Sequence, residues 1–174
     1  MYRILLNTNP VKQLAGFFAL KVLYLINLFE HKMQNLQFKK LSKSNITEIA
    51  SFGKLLNPDK PIEKIENSLT EMFKFDNYHC FGLYQNEKLV GISGAWITVR
   101  IYSGKQLEID HFVIDNTIRS GGLGKLFVTH IENWSIENNC KTIELNAYVQ
   151  SDRAHKFYFQ NGYKVLGFHF QKKI

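Results

Sequence analysis

The sequence predicts an α/β domain built on a mixed, mostly antiparallel sheet flanked by helices. Runs at Tyr78 to Tyr84 and Lys88 to Val99, joined by Gln85-Asn86-Glu87, have the alternation and the short polar connection of an antiparallel hairpin. Leu107 to Ile114, a helix, and then Thr142 to Val149 form a strand–helix–strand unit, whose two strands are expected to be parallel with a right-handed crossover. Between the first strand of that unit and its helix lies a glycine-rich turn, Arg119-Ser120-Gly121-Gly122-Leu123-Gly124.

The elements follow in order. A short strand is expected around Leu36 to Leu41, then a Ser/Asn-rich turn at Ser42 to Asn45 and a helix from Ile46 to Leu55. Asn57, Pro58 and Pro61 end that helix. A second, amphipathic helix places Ile62, Ile65, Leu69, Met72 and Phe73 at helical spacing, with Glu63, Glu66 and Glu71 on its polar face. These acids and Asp76 read as a solvated helix face, the alternative being a mouth that attracts a cationic amine. The hairpin and the third strand come next. After the glycine-rich turn, a helix to about Asn138 buries Leu123, Phe127, Ile131 and Trp134. A helix from Asp152 to Gln160 is closed by Asn161-Gly162, and strands at Tyr163 to Leu166 and Phe168 to Gln171 are expected to complete the sheet.

Residues 1–32 stand apart from this pattern. Leu14 to Phe29 is almost wholly apolar, interrupted by Lys21 and Asn27. As a helix it would be about 24 Å long, short of the roughly 30 Å hydrocarbon core. Arg3 and Lys12 precede the apolar run as in a signal peptide, but no small-x-small site follows Phe29. The expectation is an apolar extension outside a domain of residues 33–174 that starts at Met33, the alternative being an added helix on the domain or on a dimer partner. Membrane association is not expected.

Composition narrows the function classes. The 174 residues are 45% apolar, enough for one ordinary domain. Cys80 and Cys140 have no CxxC or Cys/His spacing around them, so neither a zinc site nor a disulfide framework is signalled, and a reducing, cytoplasmic setting is expected. The formal charge of +7 is spread along the chain without a basic block. It suits an acidic or phosphate-bearing partner, but no basic helix or reader motif signals nucleic acid.

The chemistry concentrates at the glycine-rich turn. A turn that leaves a strand and opens a helix aims backbone N–H groups and the positive helix end at one point, which suits a phosphate. Gly121, Gly122 and Gly124 let the main chain approach an anion, and Lys125 adds charge, though glycines at a tight turn have a purely structural reading as well. Neither a Walker loop nor a dinucleotide-binding fingerprint is present.

The spacing Arg119-x-x-Gly122-x-Gly124 after a strand resembles the pyrophosphate-binding signature of the GCN5-related N-acetyltransferase (GNAT) family. Ala154-His155-Lys156-Phe157-Tyr158-Phe159-Gln160-Asn161-Gly162-Tyr163 is similar to that family's second signature, Ala-x-x-(apolar)-Tyr-x-x-x-Gly-(aromatic). The resemblance covers roughly Leu36 to Gln171. It implies the GNAT fold, with a splayed central strand pair opening between Ile114 and Glu144, and acetyl-CoA as the acetyl donor. Phe112, Val113 and Ile114 would offer backbone groups to the pantetheine arm. Amides from Arg119, Ser120, Gly121, Gly122, Leu123, Gly124 and Lys125 would hold the pyrophosphate. Ser151 stands where many members have Asn, which shortens a side-chain contact to the cofactor.

The same resemblance implies direct acetyl transfer to a primary amine, of a small molecule or a protein. Tyr158 matches the tyrosine facing the sulfur and is the candidate general acid, and backbone N–H groups near Ile114 are candidates for the oxyanion. Glu108 and Asp110 share a strand face by the two-residue period and are both candidate bases, a water chain being the third option. His111 points to the opposite face of a regular strand, which a bulge would reverse. His130 reads as a core-edge residue and His155 as an exposed one. No histidine spacing suggests a metal. The acceptor is expected to enter between the early helices and the C-terminal hairpin. A non-catalytic CoA-binding module and a nucleic-acid-binding protein are the rival classes, and a homodimer is compatible with the chain.

Overall fold

The computed structural model describes residues 14–24, 35–118 and 122–174. The chain divides into two units, residues 1–36 and 37–174. Within the first, 14–24 is helical with exposed side chains. The remainder of the sequence-predicted extension, and Met33 where the domain is expected to start, lie outside the described residues. Among the described residues no helix is long and apolar enough to cross a membrane.

The domain is built from β1 (Leu36–Leu41), α1 (Ile46–Leu56), α2 (Ile62–Met72), β2 (Tyr78–Gln85), β3 (Lys88–Arg100), β4 (Gly104–Ile114), α3 (Leu123–Glu137), β5 (Thr142–Leu145) and α4 (Asp152–Gln160). The five strands lie side by side in chain order. β2 with β3 and β3 with β4 are antiparallel, whereas β4 and β5 are parallel across the α3 crossover. The sheet is therefore mixed, as the hairpin and the strand–helix–strand unit predict. Asn86 and Glu87, at φ 49° and 63°, form the two-residue turn of β2–β3, and two left-handed residues match the twist of the strands they join.

The helices divide between the two faces because neighbouring strand residues point opposite ways. Tyr78 packs edge-on against Phe73 at the end of α2, 5.1 Å between ring centres. The next residue, His79, meets Trp134 of α3 at 4.8 Å. On the α1–α2 face, Ile49, Ala50, Leu69, Ile92 and Val113 form a continuous core cluster. On the other, Phe127 and Ile131 of α3 are fully buried, and Phe127 lies 5.4 Å from Phe112 of β4.

α4 ends as the Asn161-Gly162 pair predicts. Gly162 has φ 86°, its N–H bonds to the Phe159 carbonyl at 3.1 Å, and the Tyr163 N–H reaches back to the Tyr158 carbonyl at 3.0 Å. These two bonds satisfy carbonyls that the last turn would leave open. The Tyr163 hydroxyl then donates to Glu132 of α3 at 3.0 Å and ties the end of α4 to the neighbouring helix.

The strand reading fails in three places. β4 starts at Gly104, not Leu107, because Gly104 at φ 72° closes the turn from β3. β5 ends at Leu145, four residues before the expected Val149. No strand forms at Tyr163 to Leu166 or Phe168 to Gln171, where Val165, Phe168 and Phe170 are exposed. Alternation supplies a strand's pattern but not a ladder to join. The tail stands off from β5 across a cavity of about 390 Å³ lined by Thr142, Ile143, Glu144, Lys164 and Leu166.

Phe127→Ala should cost ~3–5 kcal/mol in urea unfolding, since its side chain is fully buried. Phe168→Ala, at a position 85% exposed, should stay within about 0.5 kcal/mol. Equal losses at the two sites would contradict this core.

Candidate functional site

The site begins with one extra residue in β4. Ser93 pairs with Phe112 and Ala95 with Ile109, so Gly94 alone faces both Asp110 and His111. This is a β-bulge, which bends its strand and raises the local twist. Position 94 must be glycine here, because an added Cβ would sit 2.2 Å from the His111 ring. On a regular strand His111 would face away from Asp110, and the bulge reverses that direction. His111 Nδ1 lies 3.5 Å from Asp110 Oδ2, and both residues line the same cavity.

The β4–β5 ladder runs from Gln106↔Thr142 to Ile109↔Leu145, and among the described residues it continues no further. β4 itself goes on in register with β3 as far as Gly91↔Ile114. The two strands thus separate at the bulge, which places the V-shaped opening where β5 stops. A cavity of about 510 Å³ lies there. Its walls come from α1 and α2 on one side and from Asp110, His111, Phe112, Asn146, Ser151 and Tyr158 on the other. The expected C-terminal hairpin contributes nothing to it, since that hairpin does not form.

Of the two carboxylates, only Asp110 reaches this cavity. Trp96 Nε1 donates to Asp110 Oδ2 at 3.4 Å, and the adjacent His111 holds the Asp110 carboxyl below the usual carboxylate range. Glu108 is engaged elsewhere, with Arg100 at 3.7 Å and with the Asn146 amide, which donates to it at 3.1 Å. His111 Nε2 is buried without a hydrogen-bond partner. The signal in the sequence for the bulge that turns His111 to this side is Gly94, a glycine inside a strand run, which often marks a bulge.

Tyr158 lies on α4, and burial pushes its phenol up to about 12. A phenol is protonated in the neutral range even at its ordinary value, and the shift extends that range upward. Ser151 caps the same helix with its backbone only, its hydroxyl making no capping bond. His130 stacks on Phe38 at 4.2 Å, and burial lowers its pKa, in keeping with a core-edge histidine. Among the described residues no cluster of His, Cys, Asp and Glu could hold a metal ion.

The glycine-rich turn is described from Gly122 onward; Arg119, Ser120 and Gly121 lie outside the described residues. Gly122 caps α3 in the left-handed region, φ 81°, and among the described residues nothing stands within 4 Å of where its Cβ would be. At Gly124, a Cβ would come within 3.2 Å of the Phe157 ring, so this glycine lets α3 and α4 approach. Leu123 is buried and Lys125 exposed. Val113 and Ile114 bury their side chains, which leaves main chain as what they can offer a ligand, while Phe112 packs on Phe127 and Phe157.

Residues 49–163 match the family model described as Acetyltransferase (GNAT) family. Among solved structures, a GNAT family acetyltransferase of Staphylococcus aureus superposes with a TM-score of 0.67 at 21% identity, covering 81% of this chain and 100% of that one. A ribosomal-protein-alanine N-acetyltransferase from Brucella melitensis gives 0.70 at 15%, covering 80% and 99%. An aminoglycoside N-acetyltransferase in complex with CoA gives 0.70 at 14%, covering 80% and 95%. At these identities the likeness is one of fold.

Burial raises the phenol of Tyr158 and, further, those of Tyr78 and Tyr163. Below pH 10 these groups are protonated both folded and unfolded, so stability should not depend on them. Above it the unfolded chain sheds phenol protons first, and stability should fall as pH rises through about 12, by ~2–3 kcal/mol for Tyr158 alone. Urea midpoints from pH 8 upward test this. A flat profile beyond pH 10 would contradict the burial of these rings.

Proposed function

Because the chain belongs to the acetyltransferase (GNAT) family, we propose that it transfers the acetyl group of acetyl-CoA to the nitrogen of a primary amine. The observation that carries this reading is the end of the β4–β5 ladder at Ile109 and Leu145, beside a cavity that holds Asp110, His111 and Tyr158 together. A superposable aminoglycoside N-acetyltransferase was solved in complex with CoA, which supports the same donor here.

The residues present fit that donor. Phe112, Val113 and Ile114 would present main chain to the pantetheine arm along the part of β4 beyond the bulge. Gly122, Leu123, Gly124 and Lys125, with Arg119, Ser120 and Gly121, would hold the pyrophosphate at the positive end of α3. The open space at the Gly122 Cβ position supports this, since a side chain is absent where an anion would lie. The Ser151 hydroxyl, unused in capping, is available to the same ligand.

When bound, the thioester supplies an acetyl carbon that the amine nitrogen attacks as the carbon–sulfur bond breaks. The acceptor arrives as an ammonium and must first lose a proton. Asp110, kept ionised by His111, would hold the cation, and His111 Nε2, buried and unpartnered, would take the proton. Glu108, already bonded to Arg100 and Asn146, is set aside as the base. Tyr158 would protonate the departing sulfur. Its position in the cavity favours an enzyme over a CoA-binding module, which needs no acid there.

Tyr158→Phe should leave CoA affinity within a few-fold and lower kcat on the order of 100-fold. His111→Gln and Asp110→Asn should each lower kcat/KM and alter its acidic limb, whereas Glu108→Gln should stay within about 3-fold because no proton passes through it. Thiol release against pH decides the matter. Full activity in Tyr158→Phe, or loss in Glu108→Gln alone, would overturn these roles.

A further inference from the structure

The wall of the cavity opposite Tyr158 bears on the acceptor's chemistry. Ile49, Leu56, Ile65, Leu69 and Met72, from α1 and α2, make that wall mostly apolar, with Asn57, Lys60 and Ser68 as its polar members. Among the described lining residues Asp110 is the one carboxylate and Lys60 the one lysine or arginine. Asp110 is engaged by His111 and Trp96 at the reacting end. The acids of α2, Glu63, Glu66 and Glu71, and Asp76 after it, do not line the cavity, and Glu71 pairs with Lys74 at 2.6 Å. None of the four therefore gives this cavity an acid, and Glu63, Glu71 and Asp76 are exposed.

We infer that the acceptor is a primary amine on an apolar body with no second positive charge, its ammonium held at Asp110 and its body against α1 and α2. The inference rests on the acetyl-transfer reading above. One ammonium finds a carboxylate here. A second, a few carbons away, would leave water for a mostly aliphatic wall whose neutral polar members, Asn57 and Ser68, offer no acid to pair with, and ionised groups resist that transfer strongly. Lys60 would repel it further, and the net charge of +7 discourages polycations at long range.

A matched pair tests this on the full chain. Hexylamine and 1,6-diaminohexane share their length and reacting group and differ by one ammonium. Thiol release from acetyl-CoA should give hexylamine a kcat/KM higher by about 10-fold or more, with kanamycin poorer still. Lys60→Glu should bring the hexylamine-to-diamine ratio close to one. Both amines are also titrated by calorimetry into CoA-saturated protein, where hexylamine should bind more tightly by a similar factor. If that preference holds while no amine is acetylated, the acceptor inference stands and the acetyl-transfer reading fails. If the diamine or kanamycin is used or bound as well as hexylamine, or neither hexylamine nor the diamine binds, the inference is overturned. A ratio unchanged in Lys60→Glu overturns charge exclusion by this wall.

Discussion

The bulge at Asp110 and His111 is the constraint on which the site depends. Two residues of β4 face one glycine of β3, so the strand bends and twists away from the course that β5 could follow. The parallel ladder ends one residue before the bulge, at Ile109, and the gap beyond it becomes the cavity. The same extra residue turns His111 onto the face that already carries Asp110. One local irregularity thus opens a cavity and assembles a histidine–carboxylate pair at its edge. Gly94 is what permits it, since even a methyl group there would overlap the imidazole.

The two faces of the sheet divide the remaining work. α1 and α2 cover one face with aliphatic side chains and supply the wall against which an acceptor would lie. α3 and α4 cover the other, where Phe112, Phe127 and Phe157 stack and Gly124 lets the helices meet closely. This packing fixes the start of α3 and the position of Tyr158 relative to β4. Burial also raises the Tyr158 phenol above its ordinary value, at which it is already protonated at neutral pH, so the packing that holds the ring leaves it a donor.

Much of this was legible in the sequence. Helical spacing of Leu123, Phe127 and Ile131, the polar run Gln85-Asn86-Glu87 between strand runs, and Gly162 after α4 are local signals, and local geometry answered them, with Gln85 drawn into the strand. Strand pairing depends on residues far apart. Val165, Phe168 and Phe170 carry the alternation of a strand, yet a strand exists only where a partner's ladder is free and within reach. β5 stops at Leu145 for the related reason that β4 departs from it. The bulge was the hardest feature to foresee, because it is a mismatch in count between two strands and neither strand reveals it alone. Hence Asp110 and Tyr158, both singled out from the sequence, line one cavity, while the side to which His111 turns depends on a bulge that the sequence left open.

The central claim is that the start of α3 and the opening beside β4 bind coenzyme A, and calorimetric titration of CoA into Gly122→Glu tests it most directly. The open space at this position leaves room for the side chain in the unliganded fold, and only the φ of 81° strains it, by ~1–2 kcal/mol. Gly122→Ala carries the same strain without the charge. The account predicts cooperative unfolding in both variants, CoA binding within about 10-fold of the parent in Gly122→Ala, and none detectable in Gly122→Glu, where a carboxylate would meet the pyrophosphate. Unchanged affinity in a folded Gly122→Glu protein would contradict the phosphate cradle and the acetyl-transfer reading built on it.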